Sequence, residues 1–266
     1  MVDPADAIGK AREAVTKRAD LPGMSLMEHL DELRRRIVRS ALFLAVGFVA
    51  VWAFHDRFVG FLQAPLNHIG KTLVFTHPMD PLNLDLQVSL VGGAILASPF
   101  ILFQVWLFIA PGLYQKERRF VVPFMAATVG LFLAGASFGY FYVLPGALKI
   151  LIVDFGHNFT SMVTIEEYSS FFLSIILGLG ISFEMPILIF FLAMFGIVSP
   201  KFLWKNIRYA ILAIFLVAAI ITPSPDPWTM CIYAIPMLGL YLVGIGVAWW
   251  VHPSRRKAKA AKEAAK

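Results

Sequence analysis

The sequence is poor in charge. Asp, Glu, Lys and Arg make up 15% of it, where a soluble domain carries about a quarter. Its apolar share is 59% and its mean hydropathy is +0.74. Together these exclude an ordinary soluble domain and point to a polytopic membrane protein. Cysteine is almost absent: Cys231 stands alone, which excludes an internal disulfide and a cysteine-based metal site. The first twenty residues, MVDPADAIGKAREAVTKRAD, have neither an apolar core nor a cleavage signature. They read as a polar tail and not as a signal peptide. No Walker-type P-loop occurs, so ATP hydrolysis by that route is excluded. The histidines at 29, 55, 68, 77, 157 and 252 lie outside every long apolar run and lack metal-ligand spacing. No metal and no cofactor are expected. Residues 135–139 spell G-x-S-x-G, yet they sit inside an apolar run with no buried histidine to serve as base. Gly135 and Gly139 read as a packing face of small residues, and the chain is expected to be no enzyme.

What is present is hydrophobic runs. A helix needs roughly 20 apolar residues to cross hydrocarbon, and six runs reach or approach that length: about 37–54, 86–110, 120–144, 168–195, 207–222 and 228–251. The fifth is the shortest and is expected to thin the bilayer or lean on protein neighbours. The expected fold is all-α and polytopic, with short interfacial helices in the two long loops, 55–85 and 145–167. In the second loop Leu148, Leu151, Ile152 and Phe155 recur at helical spacing. They form either such a helix or a continuation of span three past Pro145. The chain divides into a polar N-terminal tail (1–24), a six-helix membrane domain (25–251) and a basic tail (252–266).

The distribution of charge gives the orientation. Eight Lys/Arg precede residue 40, three lie in the second-to-third span loop, three in the fourth-to-fifth and six in the C-terminal tail. The other side keeps only Arg57, Lys71 and Lys149. The positive-inside rule then puts both termini in the cytoplasm. It also accounts for the net charge of +6, so no nucleic-acid partner is needed.

Three acidic positions stand out. In SLMEHLDELRRRI (25–37), Ser25 and Glu28 form a capping box. Leu26, Leu30, Leu33 and Ile37 make one apolar stripe that is expected to dock the helix. Glu32 lies on the order of 130° away from that stripe, turned to water or to a groove. It either pairs with Arg36 at i, i+4 or receives an external guanidinium. Glu117 stands among Lys116, Arg118 and Arg119 in the loop after Pro111-Gly112, where a second carboxylate would accept a second guanidinium fork. Glu184 lies inside span four, where an ionisable group costs about 2.5–3.5 kcal/mol to insert, and Pro186 behind it removes a backbone donor and is expected to kink the helix. A role in a cavity or toward a partner is expected for Glu184. The alternative from another class is a proton-coupled secondary transporter with Glu184 as carrier. Such a chain would be expected to show paired, interrupted helices in two repeat halves, and no convincing internal repeat is found.

The segments HLDELRRRI (29–37), APL (64–66), SPFILFQVWLFIAPGLYQKERRFVVPF (98–124), FGYFYVLP (138–145), ISFEMP (181–186), ITPSPD (221–226) and IPM (235–237) together resemble the TatC family, the multi-spanning receptor component of the twin-arginine protein translocase. The resemblance implies six transmembrane helices in a concave, glove-like bundle in the plasma (inner) membrane. It implies recognition of S-R-R-x-F-L-K signal peptides on folded cargo, partners of the single-span TatA and TatB types, a possible homo-oligomer, and export driven by the proton-motive force. By motif position Glu32 and Glu117 resemble the carboxylates that meet the twin arginines. Arg34 and Phe108 align with sensitive positions of the same site. Pro65, Tyr140, Glu184 and Asp226 align with partner-facing or intramembrane positions. Met230 departs from the family, many of whose members carry Gln there.

Overall fold

In hydrocarbon a chain must satisfy its own backbone, and only helices or closed barrels do so. The apolar runs accordingly become helices in the computed structural model, which describes residues 26–109, 121–222 and 227–251. The first run and the polar segment before it form one helix, α1 (Leu26–Trp52). After a bend of 81° the chain continues as α2 (His55–His68), the short helix expected in the first long loop. Then follow α3 (Asp80–Ile109) and α4 (Val121–Phe138). A π-helical turn (Gly139–Val143), α5 (Leu144–Leu148) and a second π-turn (Lys149–Asp154) prolong α4, so that Pro123–Asp154 is one helical path of 32 residues. Of the two readings of 145–155, continuation past Pro145 is the one realised; no separate interfacial helix forms there. Pro145 lies inside this continuous path, where its missing N–H removes a helical hydrogen bond, and the π-turns on either side absorb the change in hydrogen-bond register.

Span four is broken in two: α6 (Ile165–Ser182) and α7 (Met185–Met194) meet at Phe183 and Glu184. Pro186 dictates the break, because a proline lacks the N–H that would bond four residues back. A short α8 (Pro200–Lys205) leads into α9 (Ile207–Ile221) and α10 (Pro227–Val251). Four helical paths are long and apolar enough to cross a membrane alone, and α1 with α2 qualifies as a bent pair. The fifteen-residue α9 is the short one, about 22 Å long at 1.5 Å per residue.

The fold is not purely helical. Leu73–Val74 (β1) pairs in parallel with Val163–Thr164 (β2), Leu73 opposite Val163. The two long loops lie at the same end of the bundle, and this ladder satisfies backbone groups that neither loop satisfies alone. Asp80 fastens the first loop by accepting the N–H groups of Thr76 and His77 at 2.8 and 2.9 Å.

Helix α1 runs along α3, α4 along α6, and α10 along α7 and α9. At the first crossing the backbones nearly touch: a Cβ on Gly47 would stand 2.5 Å from the Gly93 carbonyl oxygen. At the second a Cβ on Gly135 would stand 2.6 Å from the Leu179 carbonyl oxygen. The small-residue face read at Gly135 and Gly139 is therefore the α4–α6 contact. The core gathers Leu144, Ile175, Leu179, Tyr233 and Ala234, all buried. The outer surface is apolar: Leu42 and Val46 on α1, Leu216 and Ile220 on α9, and Ile235 and Trp250 on α10 are exposed, as suits helices that face hydrocarbon.

Candidate functional site

The leucine stripe of α1 does not dock the helix. Leu30 and Ile37 are 58% and 59% exposed. Glu32 and Arg36 are the inward pair, with side chains only 15% and 19% exposed. The expectation fails because it assumed water outside. Where the surroundings are hydrocarbon or its boundary, the apolar face turns outward and the polar face seeks protein.

That polar face meets the end of α3. Arg36 Nη2 donates to Glu32 Oε1 at 2.9 Å, and Arg36 Nη1 donates to Gln104 Oε1 at 3.1 Å. One guanidinium thus ties two side chains of α1 to the buried Gln104. One turn further along α3 Phe108 is half-buried, its ring stacked on His29 with centroids 4.4 Å apart. The carboxylate of Glu32 is half used: Oε2 is buried and has no hydrogen-bond partner among the described residues. Beside it lies a recess of about 370 Å³ whose lining includes Glu28, Glu32 and Arg36. On the other side of Arg36 an apolar trough of about 570 Å³ runs between α1 and α3 past Ile37, Leu44, Ile101 and Phe108. Arg34 is exposed and lines an adjoining recess that shares Asp31, Arg35 and Arg39 with the one beside Glu32. The structure therefore brings Glu32 and Phe108 to one end of α1 and α3 and leaves Arg34 on the outer flank. Glu117 and Asp226 lie outside the described residues. Arg36 was read from the sequence only as a pairing partner and Gln104 was passed over. An amide inside an apolar span was the available signal for it.

The other predicted residues divide into a joint and a solitary acid. Pro65 lies inside α2, so the carbonyl of residue 61 loses its helical donor. Tyr140, on the first π-turn, replaces it: its hydroxyl donates to the Phe61 carbonyl at 3.1 Å, and its ring stacks on Phe61 at 3.9 Å. Tyr168 donates a further hydrogen bond to the Leu62 carbonyl at 2.8 Å. Pro65 and Tyr140 are thus two halves of one seam that fastens α2 to the bundle. Glu184 sits half-buried at the α6–α7 break, its Oε1 buried and without a partner among the described residues. Separately, the fold brings His77, Asp80 and Glu166 together, with potential ligand atoms within 4.8 Å of one another. Asp80 Oδ2 is already committed there to the Thr76 and His77 N–H groups.

Comparison with known proteins gives one consistent result. A family model, Sec-independent protein translocase protein (TatC), matches residues 28–236. A Sec-independent protein translocase protein TatC from Koribacter versatilis is 51% identical over 268 residues, covering 98% of each chain. TatCy from Bacillus subtilis is 35% identical over 244 residues, covering 90% of this chain and 94% of its own. A solved structure described as the twin arginine translocase receptor TatC superposes with a TM-score of 0.77 at 36% identity, covering 84% of this chain and 99% of that one. The six crossing segments accordingly take the concave, glove-like arrangement of those structures.

Proposed function

The chain belongs to the TatC family of Sec-independent protein translocase proteins, and from that premise we propose that it is a receptor subunit for twin-arginine signal peptides. The peptide is bound at the end of the bundle formed by the start of α1 and the end of α3, and this end faces the cytoplasm. The protein is a multi-pass inner-membrane protein with both termini cytoplasmic, consistent with the distribution of its basic residues. It nucleates assembly with TatA- and TatB-type single-span partners, and folded cargo then crosses at the expense of the proton-motive force.

The observation that carries the reading is Glu32. A half-buried carboxylate with one oxygen held by Arg36 and the other unpartnered among the described residues suits one more guanidinium donor, because charge-assisted bonds to carboxylates are the strong ones. Glu117, adjacent in sequence to the cationic loop, supplies the second acceptor. Lysine, a point charge without a fork, fits such acceptors less well. The apolar trough beyond Arg36 takes the hydrophobic part of the signal peptide, and Phe108 stands at its mouth. Glu184 provides a polar contact at the α6–α7 break for a partner helix or the inserted peptide.

Binding of an Arg-Arg and a Lys-Lys signal peptide to the detergent-solubilised protein tests this. The Arg-Arg peptide is expected to bind more tightly, and Glu32→Ala with Glu117→Ala to abolish the difference. Equal binding of the two peptides, unchanged in the double variant, removes the two-carboxylate reading. Solute uptake into liposomes by this chain alone, lost in Glu184→Gln, would favour a proton-coupled transporter instead.

A further inference from the structure

At the end of the bundle opposite Glu32, α2 bends over a groove of about 630 Å³, within the roughly 300–1,000 Å³ range of sites that bury a whole small ligand. Its walls are apolar: Phe58 and Phe61 from α2, Val88 from α3, Leu133 from α4 and Ile176 from α6. Leu133 and Phe141 on its rim are exposed, so the groove opens sideways into the surroundings of the helices. Nothing in the reading above uses it. In hydrocarbon it does not stand empty, because an unfilled apolar groove forfeits the dispersion contacts of its whole lining.

The charge at its mouth selects the occupant. Arg57 is the one charged side chain that lines the groove, and it forms no ion pair among the described residues. Its guanidinium lies 5.8 Å from the Phe54 ring centroid. The nearby acids, Asp56 and Asp85, face His55 at 3.4 and 4.0 Å, and neither lines the groove. Of the other polar lining groups, the Tyr140 hydroxyl already donates to Phe61, and Ser137 is small and neutral. A fitting occupant has an anionic head beneath the start of α2 and a long apolar body along α3, α4 and α6.

We propose that this groove is a binding site for an anionic phospholipid, with an acyl chain between α2, α3, α4 and α6 and the headgroup phosphate on Arg57. A lipid so held props α2 against the bundle beside the Tyr140 seam.

The test is native mass spectrometry of the full-length protein, purified in detergent and exposed to equimolar phosphatidylglycerol and phosphatidylcholine. The wild type is expected to retain phosphatidylglycerol about fivefold over phosphatidylcholine, the effect of one basic side chain near a lipid surface. Arg57→Gln is expected to bring the ratio to about one with an unchanged melting temperature in lipid-free detergent. Ser137→Trp, placed at an exposed groove position, is expected to lose both lipids. Equal retention by the wild type, a preference that survives Arg57→Gln, or full retention of both lipids by Ser137→Trp overturns the proposal. Labelling of Ser137→Cys blocked by a single-span partner protein and not by phosphatidylglycerol also overturns it, and assigns the groove to that protein.

Discussion

The two ends of the α1–α3 half of the molecule are built on opposite terms. At the end that carries α2, most hydrogen-bonding groups the fold leaves open are closed again, Ser161 Oγ being an exception among the described residues. Pro65 strips a donor from the Phe61 carbonyl and Tyr140 supplies one. Tyr168 caps Leu62, Asp80 ties the loop before α3, and β1 pairs with β2. At the other end Arg36 engages Glu32 and Gln104, yet Glu32 Oε2 stays buried and unpartnered among the described residues. Burying an unsatisfied carboxylate oxygen is costly. At the end that carries α2 the buried side-chain atoms left unpartnered among the described residues are hydroxyls such as Ser161 Oγ, which cost less to bury than a carboxylate oxygen; the open acceptor at the other end is the one suited to an outside guanidinium.

Breaking each end separately is the direct test. The largest effect is expected from Glu32→Ala, which removes the open acceptor. Affinity for an Arg-Arg peptide should fall about ten- to hundredfold, the scale of hydrogen bonds to charged groups at roughly 1.5–3 kcal/mol, measured by peptide titration in detergent. The melting temperature should change little, since the partner left behind, Arg36, keeps Gln104. Next comes Tyr168→Phe at the closed end. It leaves the Leu62 carbonyl without that donor and should lower stability by about 1–2 kcal/mol, read from thermal unfolding, with peptide affinity unchanged. Tyr140→Phe follows with a smaller loss of about 0.5–1 kcal/mol, because its hydrogen bond is solvent-exposed. If Tyr168→Phe weakens peptide binding as much as Glu32→Ala does, the two ends are not separate devices.

The legibility of these features follows from their range along the chain. Spans two, four, five and six are legible because hydropathy is a local sum, and the break at Glu184 because proline acts on its own helix. The small-residue face at Gly135 and Gly139 is legible for the same reason. The stripe of α1 was visible, but its direction was not: Leu30 and Ile37 point outward because the medium, which the sequence does not state, reverses the usual sense of burial. The Tyr140–Phe61 and Tyr168–Leu62 bonds join residues 79 and 106 positions apart, and β1 meets β2 across a similar interval. Nothing periodic encodes such meetings. Of the two carboxylates read as the arginine site, Glu32 lies at the same end of α1 and α3 as Phe108, and Glu117 lies outside the described residues.

Gln104 gives the finest test of the comparison, because it decides whether the open end is preset or merely vacant. It is buried in the apolar second half of α3, and its side-chain partner among the described residues is Arg36. If its role is to hold Arg36 so that the guanidinium covers Oε1 and leaves Oε2 clear, then Gln104→Leu frees Arg36 to swing across both oxygens. Arg-Arg peptide affinity should then drop about two- to fivefold, close to the average membrane hydrogen bond of roughly 0.6 kcal/mol. Gln104→Glu should restore the anchor through a charge-assisted bond to Arg36 and recover most of that affinity. A merely structural glutamine predicts a different pattern: Gln104→Leu, which removes a buried amide from an apolar helix, raises the melting temperature and leaves binding untouched. Measuring both quantities on both variants separates a preset acceptor from a polar residue that only fills space.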